Sequence, residues 1–244
     1  MTAPAVHPVA EIERRLQWRW LGLVGFVVLI LSLTVLAVIW VMVPPRRVAG
    51  LPADAGVRAL AATLQGRVPM RSGDLRFRSA LTGEAPPDAR FGAAETRLVE
   101  EADAVLRAAA ERRRGDPRLE VALAHLDLAR RRHAEAERRY RAVTEHGADA
   151  PEARLGLGVA LALQAAIQRD GLRARGQRLE ALAQFVAVDR DDPAYAVALY
   201  DRALLLLELG RTAEATAAAR AYLVADPSGP WAQRLRAALA GDAP

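Results

Sequence analysis

The side chains that could do chemistry are few, and they do not form a metal site or a catalytic set. The chain has four histidines: His7, His125, His133 and His146. None of them belongs to a paired-ligand spacing such as HExxH, so we interpret them as surface histidines. The acidic run at 189–192 lacks the glycine and the terminal glutamate that a calcium loop requires, and it is better explained as an interhelix turn. The sequence therefore predicts no metal and no cofactor.

Signatures of nucleophilic catalysis and of phosphate binding are also missing. The chain contains no cysteine, and all 34 of its basic residues are arginines. This composition excludes thiol nucleophiles, zinc–thiolate sites, disulfides, Schiff-base lysines and the lysine of a phosphate loop. Gly156-Leu157-Gly158 begins like a dinucleotide fingerprint, but the third glycine is missing and a helix precedes it. We expect these glycines to allow close helix–helix approach, and we predict that the protein is not an enzyme.

Acidic and basic residues are interleaved along the chain. The formal net charge is +5, and the arginines do not form one basic block. Interleaved charge does not favour nucleic-acid binding, which usually requires a basic patch. A mildly positive surface is compatible with an acidic protein partner or an anionic lipid surface.

A Glu-Ala pair recurs in the second half of the chain, each time within a segment of helical pattern. Its four alanines are Ala102, Ala136, Ala181 and Ala215, separated by 34, 45 and 34 residues. A bulky side chain follows the first three alanines by four positions: Leu106, Tyr140 and Phe185. A small residue recurs on the preceding helix: Ala124, Gly158 and Ala203. This pattern resembles the tetratricopeptide repeat (TPR), a helix–turn–helix unit that stacks into a solenoid.

The resemblance implies an all-α, TPR-like solenoid of helical hairpins over residues 91–240, with about three and a half repeats and a capping helix. A half repeat over 91–114 would begin it, with a stripe of Leu98, Ala102, Val105, Leu106 and Ala109. Asp116-Pro117 is a helix-start signal that opens the first full repeat. The middle repeat carries eleven extra residues around 165–178, and the capping helix is predicted over 230–240.

In TPR-like solenoids, the first helices of successive repeats line a concave groove that holds peptides or partner segments. Carried over by position, the resemblance implies three groups of groove residues in this chain. They are Arg118, Val121, His125 and Leu128; Glu152, Leu155 and Val159; and Val197, Tyr200, Asp201 and Leu204. Such an apolar lining suits a helix or an extended hydrophobic segment. The alternative is that many of these residues simply pack between repeats.

The eleven extra residues form a second candidate site for a partner, because insertions in repeat proteins map to one face of the solenoid. Arg173 and Arg175 are its candidate contacts. A solvated loop or a lengthened helix pair is the alternative interpretation.

The N-terminal part of the chain has a different character. After a short tail over 1–20, residues 21–43 carry no charge, and as a helix they would cover about 34 Å. That length predicts one transmembrane helix. Arginines on the short leader favour a cytoplasmic N-terminus. The expected location is the bacterial inner membrane, single-pass, with the C-terminal domain in the periplasm.

Residues 44–90 are punctuated by proline and glycine and predict a linker. One short helix fits between Asp54 and Leu64. Further on, Leu75 and Phe77 alternate with Arg76 in a pattern that suits extended chain. The pattern leaves open whether this segment docks on the repeats.

These patterns predict a membrane-anchored protein–protein interaction module, a docking or assembly factor for bacterial envelope proteins. Its partners would be other proteins or peptide segments, with the membrane bound through residues 21–43. The alternative is a self-associating structural subunit of a larger membrane complex. Both interpretations rest on architecture rather than on a chemical site.

Overall fold

The computed structural model of the chain describes residues 55–64, 74–84, 86, 92–147 and 150–241. Its helices are α1 (Ala55–Leu64), α2 (Ala93–Arg112), α3 (Pro117–Ala129), α4 (His133–Glu145), α5 (Pro151–Ile167), α6 (Gly171–Val186), α7 (Tyr195–Glu208), α8 (Thr212–Ala225) and α9 (Pro230–Ala240). Two strands of two residues each, β1 (Arg78–Ser79) and β2 (Gly83–Glu84), pair in antiparallel fashion. The predicted all-α class is confirmed.

Local signals begin and end helices where the sequence predicts. Pro117 occupies the first turn of α3, and the Asp116 carboxylate accepts a hydrogen bond from the Arg118 backbone N–H at 3.0 Å. The helix α9 covers Pro230–Ala240, the range predicted for the last helix. It ends at Gly241, whose φ of 77° is the left-handed conformation that glycine adopts without a steric penalty.

Each helix packs against its neighbour in sequence, and α3 also contacts α5. Two glycines of α5 permit the closest approaches. A Cβ added to Gly156 would lie 2.3 Å from the Tyr140 ring, and one added to Gly158 would lie 2.4 Å from the Phe185 ring. The aromatic rings therefore occupy the space that larger side chains would need. The prediction that these glycines allow close helix approach is confirmed.

Most residues of the predicted stripes are buried, although Leu98 is only partly buried and Val105 is exposed. Leu106, Tyr140 and Phe185 lie in the core together with the repeated alanines. Val105 was expected on the stripe of α2, but its side chain is 39% exposed. That prediction is wrong. The stripe that packs on the neighbouring helices is formed by Leu106 and by the buried alanines four residues before it and three residues after it, and Val105 lies beside this stripe.

The eleven extra residues lengthen a helix pair. The helix α5 extends to Ile167, and α6 begins at Gly171, so only a short turn separates the two. The Asp170 carboxylate caps α6 by accepting a hydrogen bond from the Leu172 backbone N–H at 3.0 Å. Of the alternatives left open by the sequence, the structure shows the lengthened helix pair rather than a solvated loop.

The described parts of the region 44–90 pack on the other helices. The helix α1 begins one residue after its predicted start, and its buried residues include Val57 and Leu64. It contacts α2, which therefore has a helical neighbour on its N-terminal side. Residues 74–84 also dock, in a way that decides the geometry of the candidate site.

The predicted localisation has to be corrected. Within the described ranges, no helix has both the length and the apolar character needed to cross a bilayer. The 20-residue α2 carries charged residues along its length, and the apolar α5, with 17 residues, would cover only about 26 Å. The predicted span at 21–43 lies outside the described residues. The predicted single-pass location in the inner membrane, with a periplasmic domain, is contradicted.

Candidate functional site: a helical surface covered by residues 74–84

The predicted groove residues lie on α3, α5 and α7. Nine of them are buried: Val121, His125, Leu128, Leu155, Val159, Val197, Tyr200, Asp201 and Leu204. Glu152 is partly buried at the start of α5. Arg118 lies apart from this set at the start of α3, where its guanidinium pairs with the Asp116 carboxylate at 3.0 Å. Packing between helices accounts for part of this burial, and a further segment of the chain accounts for the rest.

Residues 74–84, which we name the strap, run over this helical surface. The buried side chains alternate along its first half: Leu75, Phe77, Ser79 and Leu81. The residues between them are exposed or partly exposed. A period of two is that of extended chain, in which successive side chains point to opposite sides. The strap therefore faces the helices with this row of side chains, while Arg78 and Ala80 of the other row face solvent and Arg76 is partly buried.

On α3, the strap contacts His125, which is only 1% exposed. The interpretation as surface histidines is therefore wrong for His125 and for His133, which is 9% exposed. The rings of Phe77 and His125 meet edge to face with their centroids 5.1 Å apart. His125 also lies 5.7 Å from the ring of Tyr140, on α4. Neither imidazole nitrogen has a hydrogen-bond partner among the described residues. Because burial disfavours the charged form, the pKa of His125 is lowered to about 3, and the ring is neutral at pH 7.

On α7, the strap contacts a buried carboxyl group. The backbone N–H of Arg76 donates a hydrogen bond to Oδ1 of Asp201 at 2.6 Å. Asp201 is fully buried, and its Oδ2 has no partner within the described part of the chain. Burial raises the pKa of Asp201 well above its usual range, although the Arg76 N–H acts in the opposite direction. The strap therefore satisfies only half of this carboxyl group.

The Arg76 side chain binds a second set of groups. Its Nη1 donates to the Tyr222 hydroxyl at 2.9 Å and lies 3.5 Å from the Asp226 carboxylate. The Tyr222 hydroxyl in turn donates to Asp226 Oδ2 at 2.7 Å. This bond and the nearby guanidinium lower the pKa of Asp226. The guanidinium also pairs with Glu84, at the other end of the strap, so the strap folds back on its own arginine.

Two further contacts hold the ends of the strap. The Ala80 backbone N–H donates to Glu152 Oε1 at 3.0 Å, at the start of α5. Burial raises the pKa of Glu152, and this hydrogen bond offsets part of the effect. Near the other end, Asp74 pairs with Arg234 on α9. The strap thus contacts α3, α5, α7, α8 and α9, each through a polar or aromatic side chain.

The structure brings together a subset of the predicted groove residues. His125, Glu152 and Asp201 contact the strap directly, whereas the apolar members are buried in the shared core. Sequence reasoning missed Tyr222 and Asp226, which bind the arginine from the last helix pair. Their positions gave no signal, because the resemblance places groove residues on the first helix of each pair, whereas these two residues lie on or directly after a second helix.

The insertion residues lie elsewhere. Arg173 is exposed, and its guanidinium lies 3.5 Å from Asp170. Arg175 is also exposed, and no contact joins either arginine to the strap in the described structure. The tip of this helix pair also exposes Ile167 and Leu172, the latter to 85%.

Neither a metal centre nor a known relative points to a chemical role. Among the described residues, no three histidine, aspartate or glutamate side chains come together in a way that could hold a metal ion. Comparison of the chain with protein-family models, with curated proteins and with solved structures finds no match.

Proposed function

We propose that this chain is a protein–protein interaction module with a TPR-like solenoid, and that its groove along α3, α5 and α7 binds extended segments of partner proteins. The architecture is supported by the packing of successive helix pairs and by the buried alanines at the 34-residue period. It is also supported by the fit of small residues against bulky ones at the helix crossings. The role would be docking or assembly rather than catalysis.

The observation that carries the proposal is the strap itself. An extended segment already lies on this surface, with alternate side chains buried and two of its backbone N–H groups bound by carboxyl groups of the helices. Recognition of an extended segment uses the same two elements, backbone hydrogen bonds for affinity and pockets for alternate side chains for specificity. The surface therefore has the chemistry that a peptide ligand needs.

A selection experiment tests this function. A display library of random peptides would be selected against the full chain, and the enriched peptides would be titrated against two variants. Glu152→Ala removes a side-chain carboxyl group that accepts a hydrogen bond from a backbone N–H of the bound segment. We expect it to weaken binding by about fivefold, the effect of one hydrogen bond.

Glu145→Ala serves as the matched control, because Glu145 is an exposed glutamate at the end of α4. Peptides that bind both variants equally would place the binding site elsewhere, and failure to enrich any peptide would contradict the proposal. Sedimentation velocity of the same preparation tests the alternative, because a self-associating subunit would show a mass that rises with concentration.

A further inference from the structure

The strap occupies the surface that a partner segment would need. It covers His125 and Asp201, and its backbone N–H groups occupy the carboxyl acceptors of Glu152 on α5 and Asp201 on α7. A partner that uses the same contacts has to displace it. This step rests on the proposed function, because it assumes that the groove is where partners bind.

The strap leaves polar groups beneath it unsatisfied. Asp201 Oδ2, both ring nitrogens of His125 and the Tyr200 hydroxyl are buried without a hydrogen-bond partner among the described residues. Buried polar groups are nearly always paired in proteins, and each one left unpaired weakens the complex that buries it. A different segment that forms a second hydrogen bond, with Oδ2 of Asp201, would therefore bind better than the strap does.

The contacts of the strap also show which side chains the surface selects. The Arg76 guanidinium is held by the Tyr222 hydroxyl and the Asp226 carboxylate, which are fixed to each other by a 2.7 Å hydrogen bond. The next side chain, Phe77, points to the opposite side of the extended chain and packs on His125. An arginine followed by an aromatic residue is the pair that fits both places at once.

We propose that the strap is a displaceable, self-inhibitory ligand, and that the partner which replaces it is an extended protein segment carrying an arginine followed by an aromatic residue. In this arrangement, the strap competes with the partner inside one chain. The apparent affinity for the partner is reduced by the fraction of molecules in which the strap is docked. Weakening the strap raises the affinity without any change to the groove.

The test uses the full chain and one defined probe, a fluorescent peptide with the sequence of residues 74–84. Its affinity is measured for the wild-type chain and for two arginine variants. Arg76→Ala removes the guanidinium contacts of the strap and leaves its buried apolar residues in place. We expect it to tighten probe binding by about tenfold, because more molecules then have a free groove.

Arg78→Ala is the matched control, since Arg78 lies two residues further on in the strap and its side chain is exposed. It should bind the probe as the wild type does. Equal affinity of Arg76→Ala and Arg78→Ala would overturn the self-inhibitory role of the strap. Circular dichroism of both variants verifies that the helices are retained.

A second series changes the probe and leaves the protein as it is. Two probe variants carry alanine, one in place of the arginine that corresponds to Arg76 and one in place of the phenylalanine that corresponds to Phe77. Each variant should bind at least about tenfold more weakly than the original probe, because it lacks a partly or fully desolvated contact. The peptide altered at the position of Arg78 should bind normally. Equal binding of all four peptides would overturn the arginine–aromatic specificity.

The two proposals fail in different ways. If selected library peptides bind the groove but neither Arg76→Ala nor the altered probes change the affinity, the interaction module stands and the self-inhibitory strap is wrong. If no peptide binds the groove in any variant, both are wrong. If the chain without the probe forms dimers that the probe dissociates, as judged by sedimentation velocity, the strap exchanges between copies and the inference of a separate partner is wrong.

Discussion

Two phenylalanines of equal burial show that this molecule contains two kinds of interface. Phe185 and Phe77 are each only 2% exposed. Phe185 belongs to α6 and packs on Gly158 of α5, so both sides of the contact are parts of long helices. Phe77 belongs to the strap and packs on His125 of α3. Burial alone does not distinguish the two positions.

The surroundings of the two rings differ in chemistry. At the helix crossing, a ring fills the space left by a missing side chain, and the two helices continue through the contact. Beneath the strap, the ring lies beside a neutral histidine without hydrogen bonds, and Asp201 is bound through only one of its oxygens. The comparison indicates that the helix crossings are built to stay closed, whereas the strap is held by contacts that another segment could replace or improve.

The largest effect should come from breaking the helix crossing. We expect Phe185→Ala to lower the free energy of unfolding by about 3–5 kcal/mol, because the cavity lies between two helices that cannot collapse around it. Chemical denaturation followed by circular dichroism measures this loss. A loss below about 1 kcal/mol would mean that the crossing is not the rigid interface described here.

The corresponding change in the strap should cost less and act locally. Phe77→Ala removes a ring of the same size, but the strap can detach while the helices remain. The loss is therefore limited to the free energy with which the strap docks, and we expect about 2 kcal/mol. Hydrogen exchange should increase for the backbone N–H groups of Arg76 and Ala80, with little change in α5. Cooperative unfolding of the helices would contradict the distinction between the two interfaces.

Two glycines in neighbouring helices sharpen the same comparison. Gly158→Ala places a Cβ against the buried Phe185 ring, and the overpacking should outweigh the gain in helix propensity, for a net loss of about 1–2 kcal/mol. Gly176→Ala is the control, because Gly176 lies within α6 and nothing lies within 4 Å of its added Cβ. It should stabilise the protein by up to about 1 kcal/mol. Thermal denaturation should show shifts of opposite sign, and shifts of the same sign would refute the crowding of Gly158.

The smallest effect concerns pH. Burial in the folded protein raises the pKa of Asp201. The contribution of this carboxyl group to the free energy of unfolding is therefore complete below pH 3.8 and is lost as the pH rises towards the folded pKa. Asp201→Asn cannot ionise and should lack this loss. Detachment of the strap would let Asp201 ionise in water. We therefore expect the loss of unfolding free energy between pH 4 and pH 7 to be only about 1 kcal/mol larger for the wild type than for Asp201→Asn. Denaturation midpoints at the two pH values measure it, and parallel pH profiles for both proteins would contradict the assignment.

Much of the helical framework could be predicted, because the signals are local and repeated. The alanines at the 34-residue period, the bulky residues four positions later and the cap at Asp116 depend on contacts within a helix or between adjacent helices. The range of the last helix was predicted correctly for the same reason. The localisation was wrong: it depended on one apolar stretch outside the described residues, and within them no helix could cross a membrane.

The site could be predicted only in part. His125, Glu152 and Asp201 were expected in the groove from their positions on first helices, but their partners in the strap could not be paired with them. The bond from Arg76 to Asp201 joins residues 125 positions apart, and that from Arg76 to Tyr222 joins residues 146 apart. A three-residue alternation in a proline-rich region predicts extended chain and says nothing about the surface on which that chain lies.

The sequence by itself determined the all-helical class and most of the buried helix positions, because the period of apolar and small residues repeats within reach of a single turn or a single helix pair. Tertiary structure alone decided that residues 74–84 cover the predicted site residues, since that depends on where helix packing brings α3, α5 and α7 relative to a segment more than forty residues before His125. Local conformational propensity acts over a few residues. The groups that hold the strap lie far apart in the sequence and come together only when the helices have packed.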